Sequence, residues 1–186
     1  EKTINFRINT AYHNENSFQD AGFRKAIFVA PSLSYKVSER LSFLINTEFL
    51  SNEATNATML FLTRSTPLRV HNIDELGYNN KRSYTNNQLS IKTPSFNLQG
   101  QMFYKINDSW TSQTAISRTS AKSEGYYSYL FDSTDALLPN SNERKYEGID
   151  NGLVFERLLN YQNSTTLATD IQQNFIGDFK IGNMRN

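Results

Sequence analysis

One stretch sets the pattern for the rest of the chain. From Phe96 onward Phe96, Leu98, Gly100, Met102, Tyr104 and Ile106 are apolar or small, while Ser95, Asn97, Gln99, Gln101 and Lys105 stand between them; only Phe103 breaks the alternation. A period of two means a strand with one oily and one wet face. Asn107, Asp108 and Ser109 tolerate tight-turn backbone angles, and Trp110 restarts an extended run, so the stretch predicts a hairpin. Tyr104 and Trp110 bracket its turn, where amphipathic rings would lie level with lipid headgroups.

The same alternation recurs before and after. Ile4, Phe6, Ile8, Thr10 and Tyr12 make a first strand; Ile27, Val29, Pro31, Leu33, Tyr35 and Val37 a second; Leu41, Phe43, Ile45, Thr47 and Phe49 a third. Pro31 cannot donate to a ladder and calls for a bulge or an edge-like site. Leu167, Thr169, Ile171, Gln173, Phe175, Gly177, Phe179 and Ile181 make the last, and 182–186 reads as a turn whose next strand is missing. Six long strands are expected in all, over 3–12, 24–37, 41–50, 89–106, 110–131 and 165–181. Periodicity fails from Ser51 to about Gln88, apart from the apolar island Met59 to Leu62, and from Asp132 to about Asn163.

The connections therefore alternate between long (13–22, 51–88, 132–163) and short (38–40, 107–109, the terminal turn). Short turns on one edge and long loops on the other is the asymmetry of outer-membrane barrels, and runs of this length meet the 9–11 residues that a tilted strand needs to cross a bilayer. The expected fold is all-β: an antiparallel meander forming an arc of a larger transmembrane barrel. Phe96, Leu98, Met102, Tyr104 and Ile106 would meet lipid; Arg7, Glu48 and Lys105 would point inward. Six strands are fewer than the roughly eight of the smallest single-chain barrels, so the chain should not close on itself.

Composition narrows the function. A length of 186 residues does not by itself exclude an ordinary globular domain. Nineteen Lys and Arg against 18 Asp and Glu leave a net charge of +1, with no basic footprint for nucleic acid. The absence of Cys removes disulfides and thiolate chemistry. His13 and His71 stand in no metal-ligand spacing, the glycines form no phosphate loop, and no catalytic constellation is visible, so an enzyme is not expected. The tyrosines are the functional hint. Tyr126, Tyr127 and Tyr129 sit where a strand emerges above the membrane, and Tyr78 and Tyr84 lie in the longest loop. Rigid rings with a polar handle suit capture of an amphipathic chelate.

Phe28 to Tyr35 (FVAPSLSY), preceded by Asn16 to Asp20 (NSFQD), resembles early barrel strands of the TonB-dependent siderophore receptors of the ferrichrome-receptor type. Asn107-Asp108-Ser109-Trp110 and Thr169 to Phe175 (TDIQQNF) carry the same resemblance. It implies a 22-stranded plugged barrel in the bacterial outer membrane that imports a ferric siderophore using energy from the TonB complex. Neither a plug domain nor a TonB-contacting box is recognisable, so residues 1–186 would be a single barrel segment unable to transport alone. No cofactor would be held directly; the ferric siderophore is cargo, and the surrounding partner is outer-membrane lipid. Two other classes stay open: a passive porin segment, and a soluble all-β domain of carbohydrate-binding or adhesin-like kind.

Overall fold

The computed structural model describes residues 2–62, 71–133 and 155–178, and the backbone of 180–181 and 184–185. Within them the alternating runs become strands: β1 (Thr3–Asn16), β2 (Phe23–Lys36), β3 (Leu41–Thr55), β4 (Met59–Phe61), β5 (Ser90–Lys92), β6 (Ser95–Lys105), β7 (Trp110–Asp132), β8 (Phe155–Gly177), β9 (Lys180–Ile181) and β10 (Met184–Arg185). One turn of helix, α1 (Ile73–Leu76), is capped by the Asn72 side chain and closed by Gly77 at φ 67°.

The long strands pair in chain order, each antiparallel to the next: β1 with β2, β2 with β3, β3 with β6, β6 with β7 and β7 with β8. Among the described residues β1 has no partner beyond β2, and β8 none beyond β7. The sheet is thus a meander with two open edges.

Partners in an antiparallel register share a face, and one row of the pairing lines up apolar or small positions across all six long strands, while β7 otherwise places Ser112, Thr114, Arg118 and Ser120 on that face. Phe6 opposes Leu33, Leu33 opposes Ile45, Ile45 opposes Gly100, Gly100 opposes Ile116 and Ile116 opposes Ile171. The opposite face carries Arg7, Ser32, Asn46, Gln99, Ser117 and Asp170 in the same way. Lys105 and Glu48, opposite Thr111 and Asn97, fall on that polar face as well.

Among the described residues nothing covers the apolar face. Phe6 is 79% and Ile171 70% exposed, and only Tyr84, Ile91 and Leu130 are buried hydrophobics among the described residues. The accessible surface, 13459 Å² for 21.4 kDa, compares with roughly 9,000 Å² for a compact water-soluble monomer of that mass. Among the described residues this is a single-layered sheet without a two-layer core.

The short turns are built from local side-chain bonds. The Ser38 hydroxyl accepts from the amides of Arg40 (3.2 Å) and Leu41 (3.1 Å); the Asn107 carboxamide oxygen accepts from those of Ser109 and Trp110, each at 2.9 Å. Both polar groups thereby satisfy a turn that the ladder cannot. Lys105 and Asp108 pair across the second turn at 2.9 Å, and this hydrogen bond to the ammonium holds the Asp108 carboxyl below its usual range. Trp110 lies against Gly177, where a Cβ would stand 2.8 Å from the indole.

Several boundaries depart from the sequence reading. The strand expected over 89–106 is two, β5 and β6, separated at Thr93 and Pro94 but in one register against β3. Pro31 makes no bulge: the ladder to β3 lapses between Val29 and Ser32, yet the register is the same on both sides. The apolar island becomes β4, which pairs parallel to β7 and so breaks the all-antiparallel expectation locally. β8 begins at Phe155 rather than near Thr165, because β7 offers an edge all the way to Asp132. Beyond 181 a return strand does begin, Met184 opposite Ile181. Of the stretch read as irregular between 132 and 163, residues 134–154 lie outside the described residues.

Candidate functional site

At the end of the sheet opposite the short turns, two connections lock together. The β1–β2 turn closes on itself through the Ser17 amide to the Gly22 carbonyl at 2.8 Å. Gly22 has φ 129°, and a Cβ there would sit 2.7 Å from that of Ser17, so this turn needs glycine. Its Asp20 carboxylate accepts from both the amide (2.8 Å) and the hydroxyl (2.6 Å) of Ser83. Gln19 donates to the carbonyls of Asn80 and Arg82, and the Gly22 amide donates to the Asn87 side chain at 2.7 Å. The two bonds from Ser83 hold the Asp20 carboxyl below its usual range, assisted by Arg82.

The 79–87 segment is fixed from its other side too. The Tyr84 carbonyl accepts from Thr58 (3.1 Å) and from Arg157 (2.7 Å), and Arg157 also bonds the Ser128 hydroxyl. Tyr84, at φ 53°, is buried with the Arg82 guanidinium over its ring. Below it β5 approaches β7 so closely that a Cβ on Gly125 would meet the Ser90 carbonyl oxygen at 2.2 Å.

Beside this clasp lies a pocket of about 530 Å³, lined by Glu15, Arg24, Asn52, Asn56, Ser83, Thr85, Ile91 and Tyr127 among others. Glu15, Arg24, Asn52 and Tyr127 belong by alternation to the polar face. The lining is mostly amides and hydroxyls with one acid and one base. The Thr85 hydroxyl is buried and has no hydrogen-bond partner among the described residues. Such a surface offers orienting hydrogen bonds and an aromatic wall, and no reactive group. Among the described residues no three His, Asp or Glu side chains gather to hold a metal ion.

The five tyrosines singled out from the sequence do not form one cluster. Tyr127 lines the pocket. Tyr126 faces the other way and packs on Tyr161, its partner on β8, at 5.1 Å between ring centroids. Tyr129 lies 6.1 Å from Phe61, which stacks on Phe131. Tyr78 and Tyr84 pack together at 6.2 Å. Glu15, Arg24 and the Asp20–Ser83 clasp were not picked out; the parity of Glu15 and Arg24 was legible as a signal, whereas the clasp joins residues far apart in sequence.

The geometry defines a class: an arc of a β-barrel, apolar outside and polar within, with its elaborated loops gathered at one end. No family model matches the chain, and no curated protein matches it. Among solved structures it is similar to the ferric-catecholate import receptor Fiu of E. coli K12. With the closed form the TM-score is 0.71 at 13% identity over 97% of this chain and 26% of that one; with the open form it is 0.64 at 13%, over 97% and 28%. The chain spans about a quarter of the length of the receptors it matches. At that identity the likeness is one of fold, and the fold is that of a transport receptor's barrel segment.

Proposed function

We propose that residues 1–186 are one contiguous arc of the barrel of an outer-membrane receptor that imports a ferric siderophore with energy from the TonB complex. The observation that carries this reading is the exposed face, largely apolar over β1, β2, β3 and β6 though mixed on β7 with Ser112, Thr114, Arg118 and Ser120, in a sheet whose fold matches an import receptor. A soluble binding domain would have to bury that face within the chain, and among the described residues it is left exposed. An open sheet edge in hydrocarbon leaves backbone groups unsatisfied at several kcal/mol each, so β1 and β8 are to be paired by further strands of the same barrel. The plug and TonB contact belong to parts of the receptor outside these residues.

Chelate capture is assigned to the loop end, with Tyr127 in the wall of the pocket and Tyr129, Tyr78 and Tyr84 in the loops around it; Tyr126 serves the membrane side. The ligand is a ferric siderophore held by hydrogen bonds and ring contact, without a resident cofactor. The resemblance in sequence is to ferrichrome-type receptors and the likeness in structure is to a catecholate receptor, so the assignment stays at ferric siderophores as a class.

The test is uptake of radioactive iron as ferric siderophores by cells with and without the gene encoding this chain, in backgrounds with and without TonB. Uptake that needs both supports the reading. Uptake that persists without TonB identifies a passive porin, and recovery of the protein in the aqueous fraction restores the soluble domain.

A further inference from the structure

The outward face of the sheet is not uniform. Over β2, β3 and β6 its parity picks out Val29, Leu33, Ile45, Phe49, Leu98 and Met102. On β7 the same parity picks out Ser112, Thr114, Arg118 and Ser120, and on β8 it adds Thr169 and Gln173, opposite Arg118 and Thr114. This polar stripe is two strands wide, about 10 Å. From Ser112 to Ser120 it runs roughly 27 Å along the strand, which at a tilt of about 40° is about 20 Å of bilayer depth, more than half of the hydrocarbon.

The uncharged members bond one another. The Thr114 hydroxyl donates to the Gln173 carboxamide oxygen at 2.6 Å, and the Gln173 amide donates to the Ser112 hydroxyl at 2.9 Å. Arg118 is different. It is exposed, it donates to the Thr169 hydroxyl directly across the ladder, and among the described residues no carboxylate pairs with it. Its partner on β6 is Leu98, so the charge stands inside the apolar band, where a lipid-facing cation is costly and an ionisable group ordinarily has a partner. Headgroup phosphates do not supply one. Along β7 the charged residue Lys122 follows only after a rise of roughly 10 Å of depth, and the bond to Thr169 holds the guanidinium sideways rather than upward.

We infer that the β7–β8 stripe is the seat of a second, different membrane-embedded protein, whose surface offers a carboxylate to Arg118 and hydroxyl or amide groups along the rest of the stripe. Charge decides between the occupants. Hydrocarbon leaves Arg118 without a counter-ion. A second copy of this chain, turned about an axis along the membrane normal, would bring Arg118 against its own image. A different chain with an acid at that depth neutralises it. The inference rests on the barrel reading.

The test is photocrosslinking in cells carrying the intact receptor, with p-benzoylphenylalanine in place of Thr114, Ser120 or, as control, Leu33. Positions 114 and 120 should give one discrete protein adduct and position 33 none. Adding R118Q should lower the adduct about tenfold or more, the effect of removing one side of a desolvated charge pair, while R118K keeps most of it. Once mass spectrometry names the captured chain, changing its membrane-facing acid at that depth to the amide should reproduce the loss, and R118E combined with an acid-to-arginine change in that chain should restore the adduct. Adducts with lipid alone, an adduct with a second copy, a captured chain without such an acid, or an adduct indifferent to R118Q overturns the inference and leaves the barrel standing. Heat-modifiable gel mobility reports that each variant is folded, and recovery of the wild-type receptor in the aqueous fraction overturns both.

Discussion

Replacing Leu98 by Arg in the intact barrel is the sharpest perturbation of the apolar face. Leu98 lies six residues up β6 from Tyr104 and four below Pro94, close to the middle of the apolar band, and it is 37% exposed. A cation at the midplane of a lipid-facing strand costs about 2–4 kcal/mol. The neighbourhood places the result at the upper end, because the cross-strand partner of Leu98 on β7 is Arg118 and like charges directly opposite destabilise. N97R is the control: Asn97 is adjacent in sequence but on the polar face opposite Glu48 and Thr119, so its cost should be near zero. Reversible unfolding in guanidinium chloride from phospholipid vesicles measures both. If L98R lost less than about 1 kcal/mol, or no more than N97R, the face assignment would be wrong.

Three further outcomes are expected. An epitope inserted beside Asn79 should be reachable by antibody on whole cells, whereas tags in the Ser38 or Asn107 turns should be reachable only after the outer membrane is broken; the reverse would invert the topology. Asp20 has a lowered pKa, so its contribution to the clasp is complete above the ordinary carboxylate value and lost as pH falls through the lowered one. The protection of the Ser83 amide, its exchange rate relative to the intrinsic rate at each pH, should accordingly hold at neutral pH and fall only in acid below the ordinary carboxylate range, and D20A should lower it at every pH. Y127A should weaken ferric-siderophore binding about tenfold or more, the cost of truncating a central aromatic contact, while Y126A leaves affinity unchanged; equal effects would refute the division between the two faces.

How much of this was legible follows from what each signal depends on. The six long strands, the two short turns and the apolar set on β6 were visible because a sheet with one apolar and one polar face imposes a period of two. Strand beyond the apolar band is under no such demand. Asn160, Gln162, Asn163 and Ser164 therefore read as loop, although β8 runs through them against β7. The same blindness affected Ser51 to Thr55 and the parallel strand at Met59, whose pairing depends on an edge far off in sequence. Period two applied to Tyr126 and Tyr127 places them on opposite faces, a separation that adjacency in sequence does not reveal. The clasp between Asp20 and Ser83 lay hidden because hydrogen bonds between loops leave no periodic trace.

The most direct test of the central claim, that this sheet is a barrel arc with its apolar face in lipid, is nitroxide accessibility along β6 of the membrane-embedded receptor. Spin labels placed singly from Phe96 to Met102 should alternate. At positions 96, 98, 100 and 102 oxygen dissolved in the bilayer should broaden the signal and a water-soluble nickel complex should not, with the opposite at 97, 99 and 101. Nickel access on both sets, or protection of both from either reagent, would contradict the account.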